Sequence, residues 1–399
     1  MVLLAVWSAP QVCLAVTEVS GNLLTEAQRL ENFSKAPFGE DSNNYVAPTG
    51  TEWNQFRAAA DALFNTNIVQ AEILAAVLDY ELIRFTHTNS GRILFGLRCR
   101  ETNGAPTKGW GTYFVNTNFA VSALIEATHP QFDFRSPVLA ADIFLKAGAR
   151  GFLLAGANRH ANGTNTADPC DLTNTIFHAV HAAWNGNSGE NTAWQIHGFS
   201  VSGHPEFPAS TLAVLSTGQS GTNWMSTNVV RLDQRLEWNG IKSYAYNRFL
   251  ATNDPMNLLV NEGVAGQTFT NLAAQSNVQG QFSRGIGGTF VHVETATVVR
   301  TNVATRTAAA DAVASAVLLS RTNALPTLNP FLLTNPVRTN GMLQFSIAAE
   351  LFRAFDVELR QSLATNGTMV YTFPGDGQSR VITNLIPTDA NGFYRVRGW

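Results

Sequence analysis

A series of short apolar runs, each bounded by helix or turn signals, constrains this chain more than any other feature. Ala120 to Thr128 (AVSALIEAT), Gly151 to Ala157 (GFLLAGA), Trp194 to Phe199 (WQIHGF), Leu212 to Ser216 and Gly288 to Ala296 (GTFVHVETA) read as strands covered on both faces. Helical stretches lie between them. Ser136 reads as an N-cap with Pro137 at the first helical position, and Gly148 is placed to end that helix. Asp171 reads as the cap of a helix carrying Ile176, Phe177 and Val180. An amphipathic helix follows through Val229, Val230, Leu232 and Leu236, and an Ala-rich one runs from Asn302 to Leu319. Strands alternating with helices of this length predict an α/β fold, a doubly wound and mostly parallel sheet flanked by helices.

The ends of the chain have a different texture. Residues 20–55 are rich in turn formers (Pro37, Gly39, Asn43, Asn44, Pro48, Gly50) and read as irregular. Ile68, Ala71, Leu74, Ala75 and Leu78 share one helical face, and Leu82 to His87 with Arg92 to Arg100 form a hairpin pattern about Thr88-Asn89-Ser90-Gly91. After Pro326, the runs Leu343 to Ile347, Phe355 to Leu363, Met369 to Phe373, Arg380 to Ile386 and Phe393 to Val396 are separated by Asn-Gly and Asp-Gly turns. They predict a small all-β sandwich. The resulting division is a signal-like segment at 1–17, a helical and irregular segment at 18–80 packing on the main unit, an α/β domain at 81–321, a linker at 322–336 and a β-sandwich module at 337–399.

Only 14% of residues are charged and the formal net charge is −3, with no run of one sign. Neither nucleic acid nor an anionic membrane surface suits such a chain. No apolar run reaches the ~18–20 residues that span a bilayer. Met1 to Val16 is apolar but lacks a basic start, since the first cationic residue is Arg29. It reads as a weak or truncated secretory signal, or else a buried strand. With the Asn- and Thr-rich surface it points to a secreted, periplasmic or cell-surface protein. Cys13, Cys99 and Cys170 contain no CxxC pair, and Cys99 with Cys170 could make one bridge.

Candidate chemistry gathers where strands end, as it does in open α/β sheets. His129 and Asp133 follow the strand Ala120 to Thr128, and His197 sits at the tip of Trp194 to Phe199. Two imidazoles and a carboxylate are a ligand set for Zn2+ with a position left for water. The alternative is a pair of hydrogen-bonded structural histidines. Glu294, a carboxylate in the strand Phe290-Val291-His292-Val293-Glu294, reads as the base for a metal-activated water, or as an ion-pair partner of Arg300. Arg159, with Asn158 beside it, suits a substrate carboxylate or a developing oxyanion, unless it is a solvated loop residue. Asp168 and Asp171 could orient a ligand histidine, and Glu126 is an alternative ligand. His178 and His181 share a helix face and read as packing groups. The nucleophile elbow GxSxG is absent around both Ser200 and Ser220.

The succession THPQFD, GARGFLLAGANRHAN, FHAVHAAW, WQIHGF and FVHVE resembles zinc hydrolases of the metallocarboxypeptidase-like clan, in particular the compact branch typified by phage poly-γ-glutamate hydrolases. The resemblance implies a doubly wound α/β fold with zinc on His129, Asp133 and His197, Glu294 as general base, and Arg159 of the Asn158-Arg159 pair as substrate anchor. Asp133 stands where the clan carries Glu, and Phe132-Asp133-Phe134-Arg135 replaces a Gly-rich loop. The implied activity is hydrolysis of amide bonds in peptide or γ-glutamyl substrates, with esters cleaved as a side reaction. The C-terminal module resembles β-sandwich appendages of secreted bacterial enzymes, which implies cell-surface attachment or stabilisation. Two other readings remain open: a non-catalytic surface or binding protein on a degenerate hydrolase fold, and a metal-independent serine esterase using Ser200 or Ser220.

Overall fold

The computed structural model describes residues 16–185, 191–219, 226–245, 271–321, 333–339, 342–360, 368–385 and 393–398. The strands in the first four of these spans are β1 (Thr17–Gly21), β2 (Tyr80–His87), β3 (Arg92–Cys99), the short ribbon β4 (Glu101–Thr102) and β5 (Ala105–Pro106), β6 (Thr112–Val115), β7 (Val121–Ala127), β8 (Ala149–Leu154), β9 (Thr192–Phe199), β10 (Ala213–Ser216), β11 (Ser243–Ala245) and β12 (Thr289–Ala296). All but the ribbon join one ten-stranded sheet in the order β1-β2-β3-β6-β8-β7-β9-β12-β10-β11. Its centre, β8-β7-β9-β12, is parallel. The hairpin β2–β3 extends it antiparallel on one side, and β10 pairs antiparallel with β12 on the other. The sheet is therefore mixed and mainly parallel.

The helices are α1 (Leu23–Phe33), α2 (Gly50–Phe64), α3 (Ile68–Ala76), α4 (Ser136–Ala147), α5 (Ile176–Asn185), α6 (Thr227–Trp238), α7 (Val278–Gly285), α8 (Thr297–Thr301) and α9 (Val303–Leu319). They cover both faces. Leu139, Phe144, Trp194 and Val313 belong to the core on the face of α1, α4, α6 and α9. Phe56, Leu63, Tyr80 and Trp184 belong to the core on the face of α2, α3 and α5.

Three local expectations are corrected. Residues 20–55 are irregular mainly over 34–49, because side-chain caps nucleate helices on either side: Asn22 Oδ1 accepts from the Leu24 N–H at 2.8 Å, and Thr49 with Glu52 forms a capping box at the start of α2. Ser136 is the first helical residue of α4 rather than its cap, a place taken by Arg135 at φ 69°. Gly148 does end that helix, at φ 58°. Asp171 lies too far ahead of α5 to cap it, and Thr175 Oγ1 accepts from the His178 N–H instead, at 3.2 Å. Cys99 and Cys170 are both free thiols, so no bridge joins them. Most of the signal-like segment and of the 322–336 linker lie outside the described residues, and β13 already begins inside that stretch. No helix among the described residues is long and apolar enough to cross a membrane.

The C-terminal strands β13 (Leu333–Thr339), β14 (Met342–Ala348), β15 (Ala354–Arg360), β16 (Thr368–Pro374), β17 (Ser379–Leu385) and β18 (Phe393–Gly398) form two sheets, β13-β14-β17 and β16-β15-β18. Phe345, Ile347, Phe355, Val357, Phe373 and Ile382 fill the space between them. This sandwich is clamped to the main sheet's helices. Arg235 of α6 donates through Nη2 to both oxygens of Asp356, at 2.9 and 3.3 Å, with both residues buried. Asn239 donates to the Thr372 carbonyl and accepts from its N–H, and Asp311 of α9 accepts from Tyr371 and Arg380. Such contacts make a brace rather than a tether.

Two stability predictions follow from these buried charges. Replacing Asp356 with Ala leaves Arg235 buried without its carboxylate, an expected loss of about 3–5 kcal/mol, read as a lower urea midpoint. Burial pushes the Asp233 carboxyl up to about 7, only partly offset by the Ser243 hydroxyl at 2.7 Å. The native chain therefore holds a proton there that the unfolded chain has already lost, so this group's contribution to stability falls as pH rises from about 4 to about 7. Asp233→Asn is expected to flatten that part of the profile, measured as the melting temperature across the same range.

Candidate active site

The loop after β7 is bent back sharply enough to return Asp133 to His129. The Asp133 N–H donates to the His129 carbonyl and the Ser136 N–H to that of Asp133, each at 2.8 Å. Two non-glycine residues in this loop take left-handed backbone angles, Gln131 at φ 64° and Arg135 at φ 69°. Strain of this kind persists only where the surroundings hold it. Here Glu31 of α1, fully buried, accepts from the Arg135 N–H at 2.5 Å. The segment ahead of residue 80 thus supports the loop directly.

The loop borders a cleft of about 540 Å³, reached by β9 and β12 and lined among others by His129, Asp133, His197, His292, Glu294 and Arg300. One Asp133 oxygen, Oδ2, lies 3.0 Å from His197 Nδ1 and 3.4 Å from His129 Nδ1. The outer nitrogens are held elsewhere: His129 Nε2 by Asp168 Oδ1 at 2.9 Å, and His197 Nε2 by Gln195 Oε1 at 2.8 Å. Against burial, which favours the neutral form, His129 and His197 pull the Asp133 carboxyl below the usual carboxylate range. Against the same burial, Cys170 and Asp133 raise His197 to about 10. A metal held at these Nδ1 atoms would compete with protons for them, so loading one would release protons.

The imidazole and carboxylate donors are of the kind zinc takes, but His129, Asp133 and His197 together are not among the described groups whose ligand atoms all lie within 4.8 Å of one another. Two imidazoles present inner nitrogens to one carboxylate oxygen while buried acceptors fix their outer nitrogens, the arrangement by which proteins orient ligand histidines. Three further donors stand close by, Cys170, His292 and Glu294. The ligand atoms of His129, Cys170 and His197 lie within 4.8 Å of one another, as do those of His197, His292 and Glu294. Glu294 Oε2 and His292 Nδ1 are buried with no hydrogen-bond partner, and Glu294 Oε1 lies 3.5 Å from His292 Nε2. Burial pushes Glu294 up to about 7, with the nearby His197 acting in the opposite sense.

Arg159 also reaches the cleft, lying 5.2 Å above the Phe132 ring, but its guanidinium is ion-paired with Asp168 and stands 4.0 Å from Asp171. Asn158 does not line the cleft. Its side-chain oxygen accepts from the His160 N–H at 2.9 Å, so it shapes the turn.

No protein-family model matches the chain, and no curated protein sequence matches it. Solved structures do. A metallo-carboxypeptidase from Burkholderia cenocepacia is 12% identical, over 65% of this chain and 67% of that one, with a TM-score of 0.31. A metallo-carboxypeptidase from Pseudomonas aeruginosa is 10% identical, over 57% and 61%, with a TM-score of 0.30. The LapA aminopeptidase of Legionella pneumophila is 8% identical, over 82% and 81%, with a TM-score of 0.30. These likenesses concern the path of the chain alone, and the chemistry must be argued from the residues.

The remaining sequence candidates fall into place around the cleft. Glu126 lies one layer deeper, bonded to His181 Nδ1 at 2.7 Å and to Gln195 at 3.1 Å, so it is no ligand. His181 bonds Ser283 and His178 contacts Gln279, within that same buried layer. Ser200 Oγ pairs with Ser202 Oγ at 2.9 Å, with no histidine bonded to it, and Ser220 lies outside the described residues. Sequence reasoning passed over Gln195, Cys170 and His292. Gln195 and His292 each sit two residues before a chosen residue, which on a strand is the same face; Cys170 left no signal.

Gln195→Ala and Asp168→Asn each remove or weaken a partner of one outer nitrogen, although the Thr128 hydroxyl stays 3.1 Å from His197 Nε2. Both are expected to weaken zinc binding by about 10–100-fold, measured by competition with a chromophoric chelator.

Proposed function

We propose that the protein is a zinc-dependent hydrolase of amide bonds, acting outside the cytoplasm on peptide or γ-glutamyl substrates, with esters as easier secondary substrates. The observation that carries this reading is the meeting of the His129 and His197 inner nitrogens on Asp133 Oδ2, with a buried, unbonded Glu294 oxygen in the same cleft. Zinc at these three residues would supply a Lewis acid that polarises the substrate carbonyl and acidifies a water.

The chain's own residues supply the rest. Glu294 is shifted to about 7, where a carboxyl can both accept and return a proton near neutrality. It takes the proton from the attacking water and delivers it to the leaving nitrogen. Asp168 and Gln195 keep the two imidazoles turned inward. Arg159, steadied by Asp168 and Phe132, offers its remaining donors to a substrate carboxyl. The low charge and the Asn- and Thr-rich surface support a place outside the cytoplasm, and the clamped sandwich serves to stabilise the catalytic sheet.

Elemental analysis tests the centre and one variant tests the base. About one zinc per chain is expected, lost in His197→Ala. Glu294→Gln is expected to keep the metal and to lose about 10²–10⁴-fold in amide turnover. A wild-type chain that stays metal-free after zinc is supplied ends the reading, and full turnover by Glu294→Gln ends the assignment of the base.

A further inference from the structure

The cleft contains a second arginine, and unlike Arg159 it is ion-paired with no anion among the described residues. Arg300 lies on α8, the short helix that follows β12, so the chain that presents Glu294 turns at once and brings a guanidinium back to the same cleft. Its side chain is only 3% exposed. Nε and Nη1 are buried with no hydrogen-bond partner, and Nη2 reaches only the Thr297 hydroxyl, at 3.4 Å.

Space has been cleared for this group. A Cβ built on Gly198 of β9 would fall 1.3 Å from Arg300 Nη1 and 1.9 Å from its Cζ. The residue beside His197 is therefore glycine because a guanidinium occupies the place of its side chain. Asp133, Glu294 and Glu31 are near enough to favour the cation, but burial outweighs them and lowers its pKa. None of the three makes an ion pair with it among the described residues. Asp133 is engaged with the two histidines, and Glu31 with the Arg135 N–H.

A buried guanidinium with donors left over is costly unless something anionic completes it. We propose that Arg300 binds a carboxylate of the ligand, beside Gly198 and Glu294 and separate from Arg159. A planar carboxylate matches the guanidinium fork in shape as well as charge. Taken with the hydrolase reading, on which the word substrate depends, this makes the substrate an acidic amide whose own carboxylate supplies what the protein withholds from Arg300. The neutral amide of the same skeleton is a poor ligand.

Calorimetric titration of the full chain with glutarate and with its neutral diamide, glutaramide, tests this. It is run on zinc-loaded protein and again after chelation, which separates the arginine from the metal. Glutarate is expected to bind at least about tenfold more tightly than glutaramide in both preparations, and Arg300→Gln to lose at least about tenfold of the glutarate affinity. Glutarate should raise the melting temperature of the wild type and not of the variant. Because the variant removes an uncompensated charge, its own melting temperature should not fall. Unchanged glutarate affinity in Arg300→Gln overturns the proposal, as does loss of that affinity in Arg159→Gln alone. Should Arg300→Gln fail to fold, Arg300→Lys carries the test, since it keeps the charge but loses the fork. Several-fold weaker binding there supports the proposal and wild-type affinity overturns it. Glutarate binding by a chain that takes up no zinc and cleaves no amide would end the hydrolase reading and leave the carboxylate site standing.

Discussion

The parallel pairing of β9 with β12 is the constraint on which the site depends. Its register sets His197 opposite Glu294 and His292 opposite Gln195, and the Thr295 hydroxyl pins it by donating to the His197 carbonyl at 2.8 Å. Side chains alternate along a strand, so a slip of one residue would turn all four of these polar groups into the opposite core. What prevents the slip is the rest of the two strands. Trp194, Ile196, Val291 and Val293 occupy the alternate positions and are buried on the far face. Hydrophobic burial on one side of the sheet thus fixes polar geometry on the other.

Below the histidines the polar groups continue inward. Gln195 Oε1 accepts from Asn277, while its amide donates to Glu126, which is held in turn by His181 and, through it, Ser283. Gln279 closes the layer by donating to the Pro169 carbonyl at 2.7 Å. A bonded network at this depth is stiff, because each member would be costly to leave unpaired. It ties β7, β9, α5 and α7 together directly beneath His129 and His197. His197 is turned inward by a chain of contacts that ends far from the cleft.

Much of this was legible in the residues. The buried strands announced themselves as apolar runs, and His197 and Glu294 stood out as polar interruptions within them. The capping signals at Asn22 and at Thr49-x-x-Glu52 were present but were outweighed by the nearby prolines and glycines. Other features had no local signature. Arg159 is ion-paired because the loop through Asp168 folds back over it, and that path is set by tertiary packing rather than by any motif. Arg300 could be read only as a partner for Glu294. Its relation to Gly198 joins residues on different elements and becomes visible only when the space above the glycine is examined.

The clamp between α6 and the sandwich couples the cleft to the order in which the chain is made. Arg235 leaves the ribosome with the helices of the main sheet, while Asp356 follows much later on β15. Until that strand docks, α6 carries a charge that its final position cannot accommodate without a partner. Complete packing of the sheet must therefore wait for the module, and a nick that releases the sandwich would loosen the face behind the active site. A part of the molecule that does not line the cleft thereby acts as the last condition for its complete packing.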